Sequence, residues 1–103
     1  MLEAARTATT FMRGKSRHDL DRDEMLSLAI VRLLEVLGEA ARRVSAPYRD
    51  RTPQISWRQI IGTRDRLVHA YDEINYDIVF TIVKDELPAL IAELEQLVGD
   101  PPA

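Results

Sequence analysis

The run DRDEMLSLAIVRLLEVLGEAARRV, residues 21–44, decides the fold class. Apolar or small side chains recur in it at Leu26, Ile30, Leu33, Leu37, Ala40 and Val44, alternating steps of four and three that mark one face of an α-helix. Asp21 is placed to cap this helix, and Asp23 and Glu24 suit the positive end of its dipole. A second apolar set, Leu28, Val31, Leu34 and Val36, lies off the stripe. One face can therefore meet the chain's own core while another is left to be covered, and a second subunit is one candidate for the cover. Gly38, Ala40 and Ala41 are small enough for another helix to approach closely, whether from a partner or from the same chain.

Working outward, Leu2 to Met12 predicts a short first helix and Arg13-Gly14-Lys15-Ser16 a turn. On the other side, Pro47 and Pro53 bracket a connecting loop. Ser56 is placed to cap a third helix carrying Trp57, Ile60, Ile61, Leu67 and Val68, predicted to end near Tyr71. Asn75 caps a fourth, whose broad apolar stripe runs from Ile78 through Leu87 to Val98. Pro88 inside it removes a backbone hydrogen bond and predicts a kink. Nothing reads as a strand, so the expectation is an all-α up-down helical bundle of four to five helices. Residues 1–98 read as a single helical domain, and 99–103, with Gly99 and Pro101-Pro102, as a frayed tail.

Bulk properties narrow the function classes. The 103 residues suit a modest core whose stability a partner surface would help, so a homo-oligomer is expected. The chain has no cysteine, which excludes disulfides and thiolate metal sites. No apolar run is long enough to cross a bilayer and no signal-like segment opens the chain, so the reading is cytoplasmic, with no membrane. The net charge of −3 does not advertise a nucleic-acid binder, but it averages over a split. Arg42 to Arg66 holds seven arginines against two aspartates, a balance of +5, whereas Asp72 to Asp100 holds eight acids against Lys84, a balance of −7. Arginine is the side chain best suited to gripping phosphate.

Most chemistry is excluded by inspection. His18 has no second ligand at metal spacing, and zinc needs three or four convergent ligands, so no metal and no cofactor are expected. No Gly-rich loop precedes a helix to cradle phosphate, and no serine sits in a nucleophile elbow. What remains is Gly62-Thr63-Arg64-Asp65-Arg66-Leu67-Val68-His69-Ala70-Tyr71, which gathers an imidazole, two guanidiniums, a carboxylate and a phenol in the basic part of the chain. Spacing alone also allows a charged surface turn with a half-buried His69. At ~100° per residue, Asp65 and His69 would be neighbours on one helix face, so the carboxylate could fix the imidazole tautomer. Arg64 and Tyr71 would also be nearly in line, whereas Arg64 and His69 would be about 140° out of register. Either the helix loosens before His69, or a two-fold dimer with the motif helices facing each other brings the groups together.

The Arg-x4-His-x-Tyr pattern at Arg64, His69 and Tyr71 resembles the signature of the HEPN superfamily, specifically its HepT branch. The context is similar too: Leu34-Glu35-Val36-Leu37-Gly38-Glu39-Ala40-Ala41-Arg42-Arg43-Val44-Ser45, then Ile55-Ser56-Trp57-Arg58-Gln59-Ile60-Ile61-Gly62, then Asp85-Glu86-Leu87-Pro88-Ala89-Leu90, so that the likeness spans nearly the whole chain to Val98. It departs where the family commonly has Met, here Thr63, and often Asn, here Asp65. A charged Asp65 can pair with a neighbouring arginine instead of orienting His69. The region ahead of Phe11 also looks shorter than is usual.

The resemblance implies the toxin of a type VII toxin–antitoxin pair, a metal-independent endoribonuclease acting on tRNA or mRNA. Arg64 and His69 would be catalytic, Asp65 and Arg66 supporting, and Tyr71 the acceptor of AMP from a minimal nucleotidyltransferase antitoxin of the MntA type. The residues suit that chemistry, because RNA brings its own nucleophile and needs only a proton acceptor and a cation beside the phosphate. Two alternatives stay open: a catalytically silent HEPN-type module binding RNA or nucleotide, and a helical dimerisation protein whose motif is structural.

Overall fold

The computed structural model describes residues 1–68 and 73–98, so His69, Tyr71 and the tail 99–103 lie outside the described residues. The described residues form eight α-helices and one π-helical turn, an all-α bundle. Four helical units make up its body. They are α1 (Leu2–Met12), α3 (Glu24–Arg42), the broken pair α5 (Trp57–Ile61) and α6 (Thr63–Leu67), and the continuous run α7 (Tyr76–Thr81), π-turn (Ile82–Glu86), α8 (Leu87–Val98). Two short helices, α2 (Arg17–Arg22) and α4 (Ala46–Arg51), occupy the connections and raise the count above four to five.

Helix α1 buries Ala5, Ala8 and Met12, and the two small side chains let it press against α3 and α8. It stops at Arg13, whose backbone turns extended, and Gly14 then adopts φ +73°, a conformation an L side chain rarely takes. Sequence spacing leaves α2 unread because it is a single capped turn. Ser16 N–H donates to Asp19 Oδ2 at 2.7 Å, and Arg17 bonds Asp21 at 2.9 Å and Asp77 of α7 at 2.7 Å. Asp21 is thus inside α2 and does not cap α3; Asp23 does, accepting from Leu26 N–H at 3.0 Å.

The buried face of α3 is Ser27, Ile30, Leu34, Leu37, Gly38 and Ala41, rotated from the predicted stripe so that Leu34 is fully buried while Leu26, Leu33, Ala40 and Val44 are half-buried. The reason is that α3 packs against α1, α2 and the α5–α6 pair at once, so its buried arc draws residues from both apolar sets. Met25 (83% exposed), Leu28 (62%) and Val36 (38%) stay on the surface. Gly38 permits a close approach: a Cβ there would lie 3.2 Å from the Ile60 carbonyl oxygen of α5, tighter than ordinary contact.

The predicted loop between Pro47 and Pro53 is helical in part, because proline is tolerated in a first turn and Ser45 Oγ accepts from Tyr48 N–H at 3.3 Å. The Thr52 that follows is buried, and its hydroxyl and carbonyl both receive the Trp57 indole N–H, at 3.0 and 3.1 Å. The predicted third helix is interrupted at Gly62 and ends at Leu67, short of Tyr71, since Val68 has left the helix with ψ 126°. The fourth begins where expected, with Asn75 Oδ1 accepting from Asp77 N–H at 3.0 Å and Ile78 N–H at 3.2 Å. Ahead of Pro88 the chain widens into the π-turn, where Leu87 N–H reaches the Ile82 carbonyl; proline cannot donate to residue 84, and the wider turn absorbs that loss. No described helix is long and apolar enough to cross a membrane.

Candidate functional site

Arg64 projects from α6, a five-residue helix too short to be stable alone and held by its buried ends Thr63 and Leu67. The break at Gly62 and the close approach at Gly38 lay α6 alongside α3. Between them is a groove of about 220 Å³ lined by Arg32, Glu35, Gly38, Glu39 and Arg42 of α3 and by Ile61 and Arg64. Arg32, Glu35, Glu39 and Arg42 fall on one line down α3, at steps of three and four. None of Arg32, Arg42 and Arg64 makes an ion pair with a described residue, so three guanidiniums are presented to the groove with no bridge closed upon them.

Arg66, two residues on, has a different role. Its Nη1 donates to Glu86 Oε1 at 2.9 Å and its Nη2 to Glu86 Oε2 at 2.7 Å, a bidentate pair joining α6 to the π-turn. That bond holds the Arg66 pKa above the ordinary arginine value, with partial burial opposing it. Asp65 is exposed and bonds no described residue.

Beyond Leu67 the helical register no longer runs, so the alignment of Asp65 with His69 and the offset between Arg64 and His69 on a continuous helix do not apply. The described backbone loosens before His69. Both ends of the stretch that carries His69 and Tyr71 are pinned together: Val68 forms an antiparallel bridge with Ile74, and Asn75 N–H donates to the Leu67 carbonyl at 2.7 Å.

The structure therefore brings Arg64 together with Arg32, Glu35, Glu39 and Arg42 of α3, which the sequence did not single out as site residues. Arg42 was inside the basic segment, but Arg32, Glu35 and Glu39 were not. Their line down one helix face was the available signal. Glu86 was also missed; it continues the four-and-three spacing of Val79 and Val83 toward Leu90, a charge on a buried stripe that calls for a partner. His18 is exposed, its Nδ1 4.0 Å from Asp21 Oδ2, and among the described residues no three His, Asp or Glu converge as a metal set.

The model of the family described as "Ribonuclease HepT-like" matches residues 1–97. The chain belongs to the HepT-like ribonuclease family. Among relatives of this HepT-like chain, "Putative RNase MJ1380" of Methanocaldococcus jannaschii is 30% identical over 95 residues, covering 92% of this chain and 87% of that one. "Putative RNase TTE0752" of Caldanaerobacter subterraneus is 33% identical over 86 residues, 84% and 77% of the two chains. "Probable ribonuclease HepT" of Thermococcus cleftensis is 30% identical over 95 residues, 92% and 86%. No solved structure matches the chain. Membership places the HepT-like chain among RNA-cleaving hydrolases.

Proposed function

We propose that this HepT-like chain is the endoribonuclease toxin of a type VII toxin–antitoxin pair, with Arg64 and His69 as its catalytic residues. The observation that carries the reading is Arg64 itself: exposed in a groove beside Arg32 and Arg42, and paired with no described carboxylate, it is available to a phosphate. In the proposed reaction the ribose 2′-hydroxyl attacks the adjacent phosphorus while His69 accepts its proton. Arg64 stabilises the charge that develops on the phosphoryl oxygens. The P–O5′ bond breaks, the leaving oxygen takes up a proton, and the products carry a 2′,3′-cyclic phosphate and a 5′-hydroxyl. No metal is required by this scheme.

The active unit is a homodimer in this reading. Met25, Leu28 and Val36 are exposed apolar side chains of α3 that flank Arg32, and a second copy would bury them. Tyr71 is the regulatory site: a minimal nucleotidyltransferase antitoxin transfers AMP from ATP to its phenolic oxygen, releasing pyrophosphate. The added phosphate occupies the arginines that RNA needs. Expression in the cytoplasm with and without that partner tests the pair. Growth arrest by the chain alone, relief by the partner, and a mass gain of whole AMP units on wild type but not on Tyr71→Phe are expected. Equal gain on both proteins moves the acceptor elsewhere, and absence of arrest from a folded, partner-free chain contradicts the toxin reading.

A further inference from the structure

The Arg66–Glu86 pair is the one described ion pair that joins the motif helix to another element. Both side chains are about two-thirds withdrawn from water, at 27% and 30% exposure, and the two parallel bonds fix the planes of guanidinium and carboxylate against each other. Its position gives it leverage. Leu67, next along the chain, is fully buried and accepts from Asn75 N–H; Val68 bridges Ile74. The C-terminal end of α6, and with it the paired base of the segment 69–73, is thus tied to the π-turn by this pair in addition to the packing of Leu67. On the other side of Arg66, one turn of helix or less away, Arg64 faces the α3 groove. Glu86 closes the π-turn that stands ahead of Pro88, so the irregular turn and the bond to α6 occur at the same place.

We infer that Glu86 is a positioning residue for the ribonuclease site: acting through Arg66, it holds α6 so that Arg64 and the base of the segment carrying His69 keep a fixed separation. Arg66 accordingly serves this latch and does not contact RNA. The inference rests on the reading of Arg64 and His69 as the catalytic pair. A latch of this kind acts on the geometry of reaction and leaves phosphate attraction intact. Its loss lowers the rate of the chemical step without weakening RNA binding. Misplacement of catalytic groups by about 1 Å costs up to ~10²-fold in rate, which sets the expected scale.

The test uses the full chain with a labelled single-stranded RNA oligonucleotide and three variants: Glu86→Gln, Arg66→Lys, and the exchanged pair Arg66→Glu with Glu86→Arg. Single-turnover cleavage, RNA affinity by anisotropy, and amide exchange at Asn75 are measured for each, with the buried Ile30 and Leu34 amides reporting that the fold is intact. Expected for Glu86→Gln and Arg66→Lys are unchanged RNA affinity, cleavage slowed by about 10- to 100-fold, and faster exchange at Asn75; the exchanged pair recovers part of both losses. Wild-type cleavage and exchange in Glu86→Gln overturn the inference. So does a loss of RNA affinity in Arg66→Lys that Glu86→Gln does not share, because Arg66 would then be reading RNA. A folded wild type that cleaves no RNA refutes the ribonuclease reading separately, and exchange at Asn75 still decides whether the latch exists.

Discussion

Arg64 and Arg66 are chemically identical and two residues apart, yet one faces an open groove and the other is fastened to Glu86. The sequence displayed the pair of arginines but not their division of labour, because the partner that separates them lies twenty residues away on another element. The reading of His69 and Tyr71 as site residues rests on the motif and its resemblance alone, since neither spacing nor charge distinguishes a catalytic imidazole from a half-buried one, and both lie outside the described residues. At this scale Asp19 offers a check on the electrostatics. The Ser16 backbone N–H, and after it Arg22, lower its pKa from 3.8 to about 2. A carboxyl whose folded pKa lies below its unfolded value stabilises the fold above the unfolded pKa and loses that contribution as pH falls through the folded one. The window here is therefore about pH 4 down to about pH 2. An NMR titration of Asp19 is expected to show a midpoint near 2, with α2 amides fraying in step; a midpoint near 4 contradicts the capping box.

Among the elements, α3 was legible from its four-and-three spacing, and its phase was not. Of the second apolar set Leu34 is fully buried while Leu28 and Val36 stay exposed, a distinction that only the packed structure makes. The break at Gly62 is not marked in the sequence, because an isolated glycine is tolerated inside a helix, and the close approach of Gly38 to the Ile60 carbonyl beside it is a tertiary event. The disturbance at Pro88 was legible as a lost hydrogen bond, but not its form as a π-turn that presents Glu86. Asn75 was correctly read as a cap, and it also donates to Leu67, so it closes the base of the 69–73 segment. Asn75→Ala is expected to cost about 1 kcal/mol in urea unfolding through loss of the side-chain cap alone, since its backbone N–H is retained. No loss of stability would show that Asn75 Oδ1 does not hold the start of α7.

For the whole molecule, the all-α class followed from periodicity alone, whereas the arrangement that builds the groove needed α3 and α6 side by side. Leu34, with no exposed surface, anchors the common core of α1, α3 and the helices around it; Leu34→Ala is expected to cost about 2–5 kcal/mol by denaturant titration, and a cost below 1 would place it outside the core. Assembly is a separate matter. Leu28→Glu, on the exposed edge of α3, is expected to leave monomer stability unchanged while shifting sedimentation from dimer to monomer. A dimer that survives it puts the interface elsewhere. RNA cleavage by Arg64 and His69 is tested by single-turnover cleavage of end-labelled RNA in the presence of a chelator by wild type, Arg64→Ala and His69→Ala. Cyclic-phosphate ends are expected from wild type, unaffected by the chelator, with each variant slowed by about 10²- to 10⁴-fold while remaining folded. Cleavage at the wild-type rate by His69→Ala, or none by a folded wild-type dimer, contradicts it.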